Sequence, residues 1–116
     1  MVPFEILRNP RCSKSRATLQ RLRDAGVEPV VIEYLQHPPT RERLAEILAL
    51  LGLEDPRALM RKGEAIYAEL GLGQVSDRDR LLDAMVEHPI LIERPILVRG
   101  RRAVVGRPLE RILELL

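Results

Sequence analysis

Short apolar runs and helically spaced stripes alternate along this chain, and their order predicts its elements. Val2–Leu7 is mostly apolar and stops at Asn9-Pro10, which reads as a strand followed by a turn. From about Ser13 the spacing becomes helical, with Ala17, Leu19, Leu22 and Ala25 as the apolar stripe and Gly26 placed to end the helix in a left-handed conformation. Val30-Val31-Ile32, β-branched throughout, predicts a second strand. Strand, helix and strand within about thirty residues form a βαβ unit whose crossover is expected to be right-handed.

His37-Pro38-Pro39 interrupts this pattern. Thr40 can cap a helix with Leu44, Ile47, Leu48 and Leu51 on one side, stopped by Gly52. Shorter helical pieces are expected over Pro56–Met60 and Glu64–Leu70, with Gly71 and Gly73 loosening the chain after them. Ser76 and Asp79 have capping-box spacing before a helix that buries Leu81, Leu82, Met85 and Val86. The stretch from about Thr40 to Glu87 holds no convincing strand and reads as a helical insertion packed on the same core. The period then changes again. Ile96-Leu97-Val98 and Ala103-Val104-Val105 predict a hairpin turning near Gly100. Pro108 is expected to start a last helix with Leu109, Ile112, Leu113 and Leu116 on one face. The fold class is therefore α/β: a small mixed sheet flanked by helices, in the thioredoxin/glutaredoxin order. A ferredoxin-like sandwich fits the tail less well.

Composition narrows the chemistry. The 116 residues suit one domain, and with Trp 0, Phe 1 and Tyr 2 the core falls to Leu, Ile, Val and Ala. Cys 1 excludes an intrachain disulfide, a four-cysteine metal site and a two-cysteine redox cycle within the chain, and it suits a reducing compartment. Net charge is only +2, but Lys14 and Lys62 are the only lysines among 19 basic residues, so the cationic side is guanidinium, which matches oxyanions. No basic tail or aromatic-interleaved basic patch points to nucleic acid. The N-terminal residues lack a secretory pattern and no run reaches membrane-spanning length, so a cytoplasmic protein is expected. His37 and His88 each precede a proline without a cysteine–carboxylate cluster nearby, so no metal site is expected. Tyr67 is expected to pack the insertion.

Candidate chemistry centres on Cys12, at the junction of the first strand and helix within Asn9-Pro10-Arg11-Cys12-Ser13-Lys14-Ser15-Arg16. Open N–H groups at a helix start, with Arg11, Lys14 and Arg16 nearby, favour a thiolate and could also hold an oxyanion. The competing reading is a buried small hydrophobe. Asn9 can brace the loop with an Asx-type bond. Arg94-Pro95 precedes the third strand, where a thioredoxin-type sheet would set a cis proline beside the cysteine. Arg61, Arg94 and Arg107 could converge on an anion above Cys12.

These segments, together with Glu33-Tyr34-Leu35, Pro38-Pro39, Leu59-Met60-Arg61, Leu70-Gly71-Leu72, the run from His88 to Ile96, and Gly106-Arg107-Pro108, resemble the glutaredoxin-coupled arsenate reductases of the ArsC family. The resemblance covers essentially the whole chain. It implies a single domain over 1–116, Cys12 as the nucleophile toward arsenate, and Arg61, Arg94 and Arg107 as oxyanion ligands. It also implies glutathione as co-substrate, glutaredoxin as reductant, and no bound cofactor. The best-studied branch has a histidine where this chain has Arg8, and a C-terminal extension beyond the position of Leu116, so the chain looks more like the compact branch. Two alternatives share the fold: a glutathione-dependent thiol-disulfide oxidoreductase, and a non-enzymatic regulator that binds a protein partner. The Cys-x-x-Cys switch of such regulators is absent, because Ser15 holds its fourth position. A monomer is expected.

Overall fold

In the computed structural model, residues 3–106 and 109–116 are described, with the side chains of residues 109, 110 and 113 left aside. The expectations placed on Val2, Arg107 and Pro108 therefore lie outside the described residues. The chain divides into two compact units, Met1–His37 with Arg94–Leu116, and Pro38–Glu93.

The first unit is built on a four-stranded sheet in the order β2-β1-β3-β4. Its strands are β1 (Phe4–Arg8), β2 (Val30–Glu33), β3 (Ile96–Arg99) and β4 (Arg102–Val105). β1 pairs parallel with β2, which requires the intervening crossover through α1 (Ser13–Asp24). β1 and β3 pair antiparallel, as do β3 and β4. This is the thioredoxin-type mixed α/β sheet expected from the element order. β1 and β3 are the central strands, and their apolar residues Ile6, Leu7, Ile96, Leu97 and Val98 are all buried. On one side Ile6, Leu97 and Val104 meet Leu19 and Leu22 of α1 and Ile112 and Leu115 of a C-terminal 3-10 segment. Gly100, at φ 59, takes the first corner of the β3–β4 turn, where a positive φ is needed.

The expected stripe of α1 is corrected. Ala17 and Ala25 are exposed, and the buried face is Ser15, Thr18, Leu19 and Leu22. That set follows i, i+3, i+4, i+7, whereas Ala17 points away from it and Ala25 lies past the helix as its C-cap. The helix closes as expected, with Gly26 at φ 81 and the Val27 N–H donating to the Leu22 carbonyl at 2.9 Å. The last segment is a 3-10 helix over Leu109–Glu114; Ile112 within it and Leu115 just past its end are buried, while Leu116 is exposed. A three-residue period stacks residues 112 and 115 on one side and turns Leu116 away from it, whereas the expected α-helical face groups Ile112 with Leu116.

The second unit is helical. It contains α2 (Arg41–Leu51), α3 (Ala65–Glu69) and α4 (Arg78–Glu87), with 3-10 turns at Pro56–Leu59, Leu72–Gln74 and Pro89–Leu91. Thr40 caps α2 by accepting the Arg43 N–H at 3.1 Å, and Gly52 ends the helix at φ 73. The cap of α4 is Asp77, which accepts the Asp79 N–H at 3.0 Å, and not Ser76. A carboxylate at the N-cap also meets the helix dipole favourably, which a serine one residue earlier does not. Gly71 and Gly73 flank or join a 3-10 turn where a loose loop was expected. An isolated bridge joins Met60 to Ile92, and Tyr67 is half-buried.

Candidate active site

Antiparallel pairing of Leu7 with Ile96 brings the exit of β1 and the entry to β3 to the same end of the sheet. The loop at Asn9–Cys12 and the segment Arg94-Pro95 therefore share that end. The loop is stitched by short-range bonds. The Cys12 N–H donates to the Asn9 carbonyl at 2.9 Å, and the Arg11 N–H donates to Asn9 Oδ1 at 3.0 Å. The Asn9 N–H donates to Ser15 Oγ at 3.2 Å, and Arg16 Nη1 reaches the Pro10 carbonyl at 2.9 Å.

Cys12 occupies the N-cap of α1, so the open amides of the first turn lie beside its sulfur. The residue is only 9% exposed. Burial pushes the thiol up, but it is outweighed by the Ser15 and Lys14 N–H groups, the positive charge of Arg94 and the Ser15 hydroxyl, and the pKa comes down to about 7. At neutral pH a large fraction of Cys12 is thus thiolate, the form that attacks electrophiles.

Ser15 is the residue that sequence reasoning passed over. It is fully buried, acts on Cys12 through both backbone and side chain, and carries the Asn9 bond. Its spacing was the available signal: the third residue of a helix is where a side chain reaches back to the capping region.

Arg94 is half-buried and its charge is felt at Cys12. The Arg94-Pro95 peptide is cis, and Pro95 is buried. Its carbonyl accepts the Gly106 N–H at 2.8 Å. A Cβ on Gly106 would lie 3.0 Å from Pro95 Cγ and 3.2 Å from Thr18 Oγ1, so any larger residue there would crowd its neighbours. Arg107, the next residue, lies outside the described residues. Arg61 belongs to the helical unit, where its N–H donates to the Leu91 carbonyl at 2.7 Å and its guanidinium pairs with Glu64. The structure thus brings together Asn9, Cys12 and Arg94. Arg8 closes β1, opposite Glu33 in register and 3.8 Å from its carboxylate.

Fold and site together define a thioredoxin-fold protein with one activated cysteine at a cationic helix start. The chain belongs to the ArsC family, which it matches over residues 7–115. It is 46% identical to the uncharacterized protein YfgD of Escherichia coli (strain K12), over 96% of this chain and 94% of that protein. It is also 46% identical to an arsenate reductase of the same strain, over 100% of this chain and 82% of the longer relative. A solved structure of an arsenate reductase from Vibrio cholerae superposes with a TM-score of 0.94, at 50% identity, covering 99% of this chain and 98% of that one.

Proposed function

We propose that this protein reduces arsenate to arsenite, with Cys12 as nucleophile. The observation that carries the proposal is the lowered pKa of the lone cysteine beside the Arg94 charge, in a chain similar to arsenate reductases along its whole length. The Cys12 thiolate attacks arsenic, an As–S bond forms, and one oxygen departs as water, leaving arsenic(V). A glutathione thiol then displaces a second oxygen as water. Glutaredoxin's thiolate attacks the glutathione sulfur, the glutathione–arsenic bond breaks, and its electron pair stays on arsenic, which becomes arsenic(III). The products are a glutaredoxin–glutathione disulfide and a Cys12-bound arsenic(III) that water releases as arsenite.

Two anions must meet in the first step, and guanidinium groups offset that repulsion and hold the charge on the departing oxygen. Arg94 has this role, and the resemblance to the family assigns Arg61 and Arg107 to it as well; Asn9 and Pro95 support the loop and the strand entry. The single thiol of the chain makes an external thiol obligatory for the two-electron reduction. In this reading the chain acts in the cytoplasm as a monomer and one domain, the helical segment about 40–87 being its insertion. No described helix is long and apolar enough to cross a membrane.

The test follows arsenite directly in a mixture of arsenate, glutathione, glutaredoxin, glutathione reductase and NADPH, omitting each in turn. Turnover is expected only with the complete set, and Cys12→Ser is expected to abolish it. Sustained turnover without any external thiol would overturn the proposal.

A further inference from the structure

Beside the Cys12 loop, at the sheet end where β1 and β2 finish, lies a cavity of about 280 Å³ lined by Asn9, Pro10, Arg11, Glu33, Leu35 and Gln36. One wall is the loop that leads directly into Cys12. The other is the turn after β2, fixed by the Gln36 and His37 N–H groups donating to the Glu33 carbonyl at 3.0 and 2.9 Å. Because the Glu33 carbonyl is held in that turn and its carboxylate lies 3.8 Å from Arg8, the acid has a defined place at the cavity. Arg11 is equally constrained at its backbone, through the bond to Asn9 Oδ1.

The lining has a particular chemistry. It offers one guanidinium, one carboxylate, two side-chain amides and the apolar surfaces of Pro10 and Leu35. A simple anion would meet Arg11 but also Glu33, whose charge Arg8 offsets only in part at 3.8 Å, and an apolar ligand would have no use for either. A group carrying an ammonium and a carboxylate on one carbon uses both, and the amides supply further donors and acceptors. The volume sits just below the usual range for small-molecule pockets, enough for one end of a short peptide and not for all of it.

We infer that this cavity seats the zwitterionic α-amino-acid end of the peptide thiol, glutathione, with Glu33 taking the ammonium and Arg11 the carboxylate. The assignment rests on the glutathione-dependent reading above and deepens it by giving the co-substrate a place. Arg11, which lines the cavity, is the residue before Cys12, so a γ-linked chain leaving on that side would have the cysteine within its reach. Glu33 and Arg11 are binding residues here and take no part in the bond changes.

The experiment uses S-methylglutathione, which cannot react, so that binding is read independently of turnover. Its titration into the ¹⁵N-labelled protein is expected to shift the amide signals of residues 9, 11, 33, 35 and 36. Glu33→Gln is expected to weaken that binding about tenfold, the scale of a lost charge-assisted hydrogen bond. Arg11→Gln should do the same, which guards against a Glu33 variant that merely disturbs the β1–β2 pair. An analogue lacking the α-amino group should bind the wild type and Glu33→Gln equally. In turnover, Glu33→Gln should raise KM for glutathione about tenfold relative to KM for 2-mercaptoethanol. Shifts that map elsewhere, no binding at millimolar ligand, or equal affinity for wild type and both variants would overturn the assignment, even if arsenate is reduced. Binding at the cavity with all of the binding responses, but no arsenate reduction, would uphold it while overturning the reductase reading.

Discussion

The Ser15 hydroxyl accepts the Asn9 N–H across the β1–α1 junction at 3.2 Å, while the same residue stabilises the Cys12 thiolate. One buried side chain thereby shapes the loop and tunes the sulfur. Ser15→Ala removes the acceptor from a partly buried N–H, an expected cost of about 1–2 kcal/mol in chemical denaturation. Losing an interaction that favours the charged form also raises the Cys12 pKa, so the alkylation midpoint should move above the value of the parent protein.

Cys12 alkylation should itself titrate with a midpoint near pH 7. The sign is direct: only the thiolate reacts, so the rate falls as pH drops below the midpoint and levels off above it. A midpoint at or above the free-thiol value of about 8.5 would contradict the site as described.

Arg94→Gln removes a positive charge that favours the thiolate. Its alkylation midpoint is expected to rise, so the rate at pH 6 should drop more than the rate at pH 9. Arg94→Lys should restore the midpoint better than it restores arsenate turnover, since lysine keeps the charge but not the planar fork. Equal recovery of both would reduce Arg94 to a point charge.

Gly106→Ala would press a Cβ against Pro95 Cγ at 3.0 Å and Thr18 Oγ1 at 3.2 Å. Both neighbours are buried, so one of them must give by a few tenths of an ångström, at an expected cost of about 1–3 kcal/mol in thermal or chemical unfolding. Unchanged stability would show that this end of the sheet yields easily.

Arg99 lies with its guanidinium carbon 4.8 Å from the centre of the Phe4 ring and donates from Nη1 to the Leu115 carbonyl at 2.8 Å. It ties β3 to β1 and to the C-terminal segment. Arg99→Ala is expected to cost about 1–2 kcal/mol. Hydrogen exchange should rise first at residues 112–116, whereas uniform loosening would argue against a specific tether.

The order of elements could be read directly from residue spacing, because strand and helix periods, Gly26, Thr40 and Gly52 are local signals that act over a few residues. The cysteine at a helix start was legible for the same reason. Spacing could not say which way a helix faces: Ser15 and Thr18 are small enough to be buried despite their hydroxyls, while Ala17 and Ala25 cost little when exposed. Nor could it choose Asp77 over Ser76 as a cap, since both offer an oxygen and only backbone geometry selects one. The neighbourhood of Cys12 was least accessible of all. Arg94 acts on the sulfur because Leu7 pairs with Ile96, an antiparallel register that joins distant parts of the chain at one sheet end. Local spacing sets the elements, but charge acts through space, and only the folded chain determines those distances.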